Sequence, residues 1–140
     1  DSGGDGRRVS ASCDAPVRES RYCLFMTGKA KPEVWTEERC YITELINEPA
    51  WPEFSLARCR VEPGVTTQLH ALSVHEIYLI RQGAGLMSVG DQEPFSVEPG
   101  DSVTIPKHVA QRITNTGDSD LVFDCVCSPR FFSACYASLE

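Results

Sequence analysis

His70, Glu76 and Tyr78, with Gln68 and Gln111, are the residues of this chain whose types and spacing suit chemistry on a small polar molecule. Gln68, His70 and Leu72 alternate, as do Glu76, Tyr78 and Ile80 and then Gln111 and Ile113. On extended strands each set therefore shares one face. A histidine changes charge near neutral pH, a neighbouring carboxylate orients its ring and raises its pKa, and a tyrosine hydroxyl can protonate a developing oxyanion. Such a trio suits dehydration, isomerisation or cyclisation. The competing expectation is that the three groups satisfy their own hydrogen bonds in a site used for binding alone, since buried polar groups need partners in any case. His75 precedes Glu76 and points to the opposite face unless a bulge turns it inward. His108 follows Pro106 in a turn, where it either contacts ligand or is an exposed loop residue.

The elements that must carry these residues are strands. Beyond Arg39 the chain becomes short alternating segments separated by turn signals at intervals of about 8 to 12 residues, the pattern of an all-β sandwich or barrel. Strands are predicted at 40–46, 54–62, 66–72, 76–81, 85–89, 95–97, 102–105, 111–115 and 121–127. Between them stand Glu62-Pro63-Gly64, Gln82-Gly83, Gly90-Asp91, Glu98-Pro99-Gly100-Asp101 and Thr116-Gly117-Asp118. Residues 1–20 carry glycines, serines and charges without apolar periodicity and are expected to form a flexible tail. In residues 21–39 the apolar Leu24, Phe25, Met26, Val34 and Trp35 are interrupted by Gly28 and Pro32, which predicts an irregular arm packed on the domain at 40–140. Trp35, Trp51, Phe54, Phe95, Phe123, Phe131, Phe132 and Tyr136 are expected to fill the core or seal the arm and C-terminal segment.

Composition narrows the function classes. A chain of 140 residues supports one hydrophobic core, and a homodimer is expected to add burial through strand edges and aromatic ends. The net charge of −7, with scattered basic residues, argues against a nucleic-acid partner. No apolar run approaches the roughly 20 residues of a membrane span, so no membrane role is expected. Arg58 and Arg60 share a strand face and read as a solvated surface. Seven cysteines, an odd number, with no signal-peptide pattern, predict a cytoplasmic protein with reduced thiols. Cys125 and Cys127 face the same side and read as buried small hydrophobes, poorly placed for a mutual disulfide. A Gly-rich phosphate loop, a G-x-S-x-G elbow and paired C-x-x-C motifs are all lacking, and no organic cofactor is expected.

The spacing Gly64-x5-His70-x-Leu72-x3-Glu76-x6-Gly83 resembles the first cupin motif, G-x5-H-x-H-x3-E-x6-G. After 16 residues, Gly100-x5-Pro106-x-His108-x2-Gln111-x3-Asn115 resembles the second, G-x5-P-x-G-x2-H-x3-N. The resemblance implies a cupin-type double-stranded β-helix, a jelly-roll barrel, with Gln68, His70, Glu76, Tyr78 and Gln111 pointing inward. Of the four metal ligands implied by the family, His70 and Glu76 are kept, while Leu72 and Gln111 replace histidines. Two expectations stay open. In one, His70 and Glu76 hold a divalent transition metal with an amide oxygen of Gln111 or Gln68 and water. In the other the metal is lost and His70, Glu76 and Tyr78 move protons directly, with Gln68, Gln111 and His108 contacting a polar small-molecule ligand. Lyase, isomerase or cyclase chemistry is expected ahead of a non-catalytic binding cupin. It is also expected ahead of a metal-dependent dioxygenase, whose two-histidine, one-carboxylate triad is incomplete here.

Overall fold

A computed structural model describes residues 30–140; the expected tail and the first part of the arm lie outside the described residues. The strands are β1 Val34–Trp35, β2 Tyr41–Ile46, β3 Ser55–Val61, β4 His70–Leu72, β5 His75–Gln82, β6 Gly85–Val89, β7 Phe95–Val97, β8 Ser102–Ile105, β9 Gln111–Asn115, β10 Leu121–Ser128 and β11 Tyr136–Ser138, with one 3-10 turn at Ser133–Cys135. Strands β6 to β9 keep the bounds read from the sequence. The strand predicted over 66–72 is shorter, because Thr66 makes only an isolated bridge to Thr114 and the Gln68 N–H turns away to donate to Glu38 O at 3.0 Å. The arm is more regular than expected. Val34 and Trp35 pair with Ile42 and Tyr41, which makes them an edge strand.

The strands form two largely antiparallel sheets, β1-β2-β3-β10-β5-β8 and β11-β4-β9-β6-β7. This corrects the expected barrel: the sheets face each other but do not close, and among the described residues each keeps two free edges. The marginal strands β1, β8, β11 and β7 are two to four residues long. Pairing with both sheets requires a strand long enough to bend across the gap, and these are too short.

Alternation decides what fills the space between the sheets. Glu76, Tyr78 and Ile80 of β5 are buried while His75, Ile77, Leu79 and Arg81 face out. Across β10 the same pleat aligns Cys127 with Glu76, Cys125 with Tyr78 and Phe123 with Ile80. The main core gathers Val61, Ile80, Met87, Val97, Val103, Ile113, Leu121 and Phe123, and a smaller cluster of Leu72, Val74, Cys127 and Cys135 sits beneath Phe131 and Tyr136. The aromatic expectation needs correction in part. Phe123 is in the core, but Trp35, Trp51 and Phe132 are 52 %, 37 % and 46 % exposed, because they lie on an edge strand and in loops outside the space between the sheets.

Two motif positions have structural duties. Gly83 holds φ +84°, and a Cβ there would lie 2.6 Å from Asp120 O, so it lets the β5–β6 turn press against the chain entering β10. Asn115, 1 % exposed, donates from Nδ2 to Val61 O and Ser119 O at 2.8 Å each and accepts from Gly117 N at 2.9 Å. One amide thus ties β9, β3 and the β9–β10 turn. Replacing Asn115 by alanine orphans buried backbone groups and is expected to cost about 3 kcal/mol by urea denaturation. A loss below about 1 kcal/mol would show that water takes over these bonds.

Candidate functional site

The register brings four of the sequence-selected residues together. His70 and Gln111 are directly paired across β4 and β9. In the opposite sheet, Glu76 and Tyr78 stand on β5 beside Cys127 and Cys125. The Tyr78 hydroxyl crosses the gap and donates to Gln111 Oε1 at 2.8 Å, while its ring stacks on Phe123 at 4.4 Å. His70, Glu76 and Tyr78 line a cavity of about 130 Å³ with Glu38, Cys40, Cys59, Leu72, Cys125, Cys127 and Phe131 among its other walls. Gln111 is fully buried and lies behind that wall.

His70 is fixed in orientation. Its Nδ1 is 2.8 Å from Gln68 O, and a carbonyl only accepts, so Nδ1 carries the proton. Nε2 then faces Glu38 Oε1 at 3.6 Å, and the ring stacks on Tyr136 at 4.7 Å. Glu76 is held on one side only. Its Oε2 accepts from Cys127 Sγ at 3.5 Å, while Oε1 is buried without a hydrogen-bond partner, as is Gln111 Nε2. The Gln111 amide is close enough to favour the Glu76 charge without forming a hydrogen bond.

Burial dominates the electrostatics. It pushes the Glu76 carboxyl up to about 7 from an ordinary 4.5, against weaker downward pulls from Gln111 and Cys127. Burial also raises Glu38, against the attraction of His70, and raises the Tyr78 hydroxyl far above the usual phenol range. Glu76 is therefore poised to gain or lose a proton near neutrality. Tyr78 keeps its proton.

The other sequence-selected residues lie elsewhere. Gln68 lines an outer groove of about 630 Å³, where its Oε1 accepts from the Tyr136 hydroxyl. His108 is exposed at φ +67° in the β8–β9 turn and lines neither cavity. His75 is exposed, its Nδ1 accepting from Lys107 N–H at 3.2 Å. Arg58 and Arg60 lie on the outer sheet face, bonded to Asp124 and to Glu33 with Asp120. Sequence reasoning missed Glu38, which lines both the inner cavity and the outer groove. It also missed Tyr136. The only local hint was Glu38's place in the arm just before the first predicted strand.

A divalent metal does not fit this donor set. Leu72 offers no donor and Gln111 Oε1 is taken by Tyr78, so two of the four ligand positions of the motif are lost. Among the described residues no three His, Cys, Asp or Glu side chains converge as metal ligands.

Comparison with known proteins agrees with the two-sheet architecture. The Cupin domain family matches residues 57–127. An uncharacterized protein of Methanocaldococcus jannaschii is 35 % identical over 106 residues, which cover 74 % of this chain and 83 % of that protein. The chain belongs to the cupin family. Similar solved structures include a cupin-like protein from Thermotoga maritima, with TM-score 0.63 and 18 % identity over 72 % of this chain and 76 % of that one. An S161A mutant of Bacillus subtilis oxalate decarboxylase superposes with TM-score 0.67 and 22 % identity, over 78 % of this chain but 30 % of that chain. Among the described residues no helix is long and apolar enough to cross a membrane.

The raised Glu76 pKa makes stability depend on pH. Between the ordinary 4.5 and about 7 the folded state holds a proton that the unfolded chain releases. Its contribution is thus complete below 4.5 and lost as pH rises through 7, a change of about 3 kcal/mol. Glu76→Gln is expected to flatten the stability–pH curve across this window, leaving what Glu38, also raised by burial, contributes. Parallel curves for the two proteins would show that Glu76 titrates in its ordinary range.

Proposed function

We propose that this cupin is a metal-independent lyase, isomerase or cyclase that moves protons on a small polar molecule, with Glu76 as the proton-transferring group. One observation carries the reading: Glu76, a carboxyl poised near neutral pH and held by a hydrogen bond at one oxygen only, is among the residues that line a cavity. A buried polar atom left unsatisfied is unfavourable, and a substrate hydroxyl or amine would satisfy it. His70, with its proton fixed on Nδ1, offers Nε2 as a second acceptor from the opposite sheet. Together the two groups can take a proton from one substrate atom and return it to another.

The remaining residues position these two. Tyr78 holds the Gln111 amide behind the wall, and Gln68 O fixes the His70 tautomer. A cavity of about 130 Å³ admits a fragment about the size of benzene, so the reacting group enters it while the rest of a larger substrate lies in the outer groove. The likeness to oxalate decarboxylases supports the fold and leaves the substrate to this chain's own residues. The proposal keeps a homodimer, since Ile77 and Leu79 stand exposed on the outer sheet face, and a cytoplasmic location, since five buried cysteines are free thiols.

Glu76→Gln is expected to lower turnover at least 100-fold with the fold intact, and His70→Ala to lower it by a similar factor. Full activity in Glu76→Gln would end the proposal. Substrate binding without turnover across hydroxy acids, sugars, keto acids and amines would make the domain a binding module instead. Elemental analysis of untagged protein is expected to find well under one equivalent of transition metal, and dialysis against chelator is expected to leave activity unchanged. One equivalent lost in both His70→Ala and Glu76→Ala would restore a His/Glu metal centre.

A further inference from the structure

We infer that Tyr136 is a positioning residue for His70: strand β11, tied to the arm by Arg39 and Glu140, holds the imidazole with its proton on Nδ1 and leaves Nε2 as the acceptor. The inference deepens the acid/base reading of the site and rests on it for its functional meaning.

Strand β4, which carries His70, is three residues long and depends on its neighbours for its place. Its pairing with β9 consists of His70 opposite Gln111 alone. The pairing with β11 covers the whole strand, with Tyr136 opposite Leu72, Ala137 opposite Ala71 and Ser138 opposite His70. The ladder continues past both ends of β4, where Ser73 N–H donates to Cys135 O and Leu139 N–H to Leu69 O, each at 2.9 Å.

This register sets Tyr136 diagonal to His70 on the same face, within reach of an aromatic side chain. The two rings stack with centroids 4.7 Å apart and planes 19° apart. The Tyr136 hydroxyl donates to Gln68 Oε1, on the residue whose carbonyl takes the His70 Nδ1 proton. The hydroxyl also interacts with Glu38, the carboxyl that faces Nε2. One side chain thus covers the imidazole and touches the residues at both of its nitrogens. A ring free to turn about χ2 would swing Nδ1 away from the carbonyl and lose the tautomer, so the stack guards the proton's position.

Arg39 ties β11 to the arm. Its guanidinium forks onto Glu140 at 2.9 and 3.0 Å, and its Nε donates to Thr66 O at 2.8 Å. Leu69 N–H donates to the same Glu140 carboxylate at 3.1 Å. Arg39 holds φ +65°, rare for a residue other than glycine, in the turn that sets Glu38 beside His70 and Arg39 beside Glu140.

The test reads the His70 ring itself by two-bond proton–nitrogen NMR on the full chain at about pH 8, above the ordinary histidine range. The chain has three histidines, and the exposed His75 and His108 serve as internal references. In the unaltered protein the Nδ1-protonated form of His70 is expected in at least about tenfold excess. Tyr136→Leu removes ring and hydroxyl and is expected to lower that excess at least about threefold, within the factor that ring stacking supplies. Tyr136→Phe restores the ring and is expected to return most of it. Glu140→Gln, at an exposed side chain, is expected to lower the excess by less, and it carries the test should Tyr136→Leu not fold. A merely structural role for Tyr136 would lower stability and leave the ratio as it is. An unchanged ratio in folded Tyr136→Leu, or in Glu140→Gln in its stead, would overturn the inference and leave the acid/base reading standing. His70 protonated on Nε2 in the unaltered protein would overturn both. A lowered ratio in Tyr136→Leu together with full turnover in Glu76→Gln would support the positioning of His70 and end the acid/base reading.

Discussion

The hydrogen bond from Tyr78 to Gln111 is the constraint on which the site depends. It joins two sheets that share no strand, at the level where the core changes from apolar to polar. Both partners are buried, so each needs the other. The bond fixes the Gln111 amide with its oxygen toward Tyr78 and its nitrogen unpaired, and keeps the phenol from serving as a free proton donor. It also fills the position where a metal-binding cupin would carry its last histidine. Replacing that imidazole with an amide converts a ligand position into a cross-sheet tie.

Much of the fold was legible because period-2 alternation and turn chemistry are local signals. Strands β6 to β9 sit between Gly, Pro and Asp turns that leave no room for other bounds. His70, Glu76 and Tyr78 were legible as one site because motif spacing fixed their register, and a one-residue slip would have turned them all outward. Long-range pairing was not legible. Tyr136 reaches β4 only through the pairing of β11, and Glu38 reaches His70 only after the arm has folded back along β2. Neither approach leaves a trace in local periodicity. Closure of the sheets was misjudged for a related reason: alternation specifies which face is buried but not whether the last strand meets the first.

Glu38 changes the meaning of His70. In the motif alone His70 reads as half of a His/Glu ligand pair with Glu76, but in the structure its open nitrogen faces a different carboxyl on a different element. Glu38 occupies the boundary of both spaces and is itself raised by burial. The histidine thus pairs with a carboxyl that lines both groove and cavity, while Glu76 lines the cavity alone.

The cysteines explain how the cavity wall keeps the Glu76 carboxyl partly protonated near neutral pH. Cys40, Cys59, Cys125 and Cys127 line the cavity, and all four thiols are pushed upward, Cys40 chiefly by Cys59, Cys59 chiefly by Cys125, and Cys125 and Cys127 chiefly by burial. They are neutral under ordinary conditions and weakly polar, so they solvate charge poorly. Cys59 and Cys125, with Sγ atoms 3.5 Å apart, satisfy each other and offer Glu76 nothing. Only Cys127 reaches the carboxyl, at one oxygen. A serine at the Cys127 position would donate a stronger hydrogen bond to that oxygen and draw the pKa down, whereas the thiol leaves desolvation in control. The cysteine content that first reads as a question of redox compartment is therefore part of what sets the proton affinity of the site.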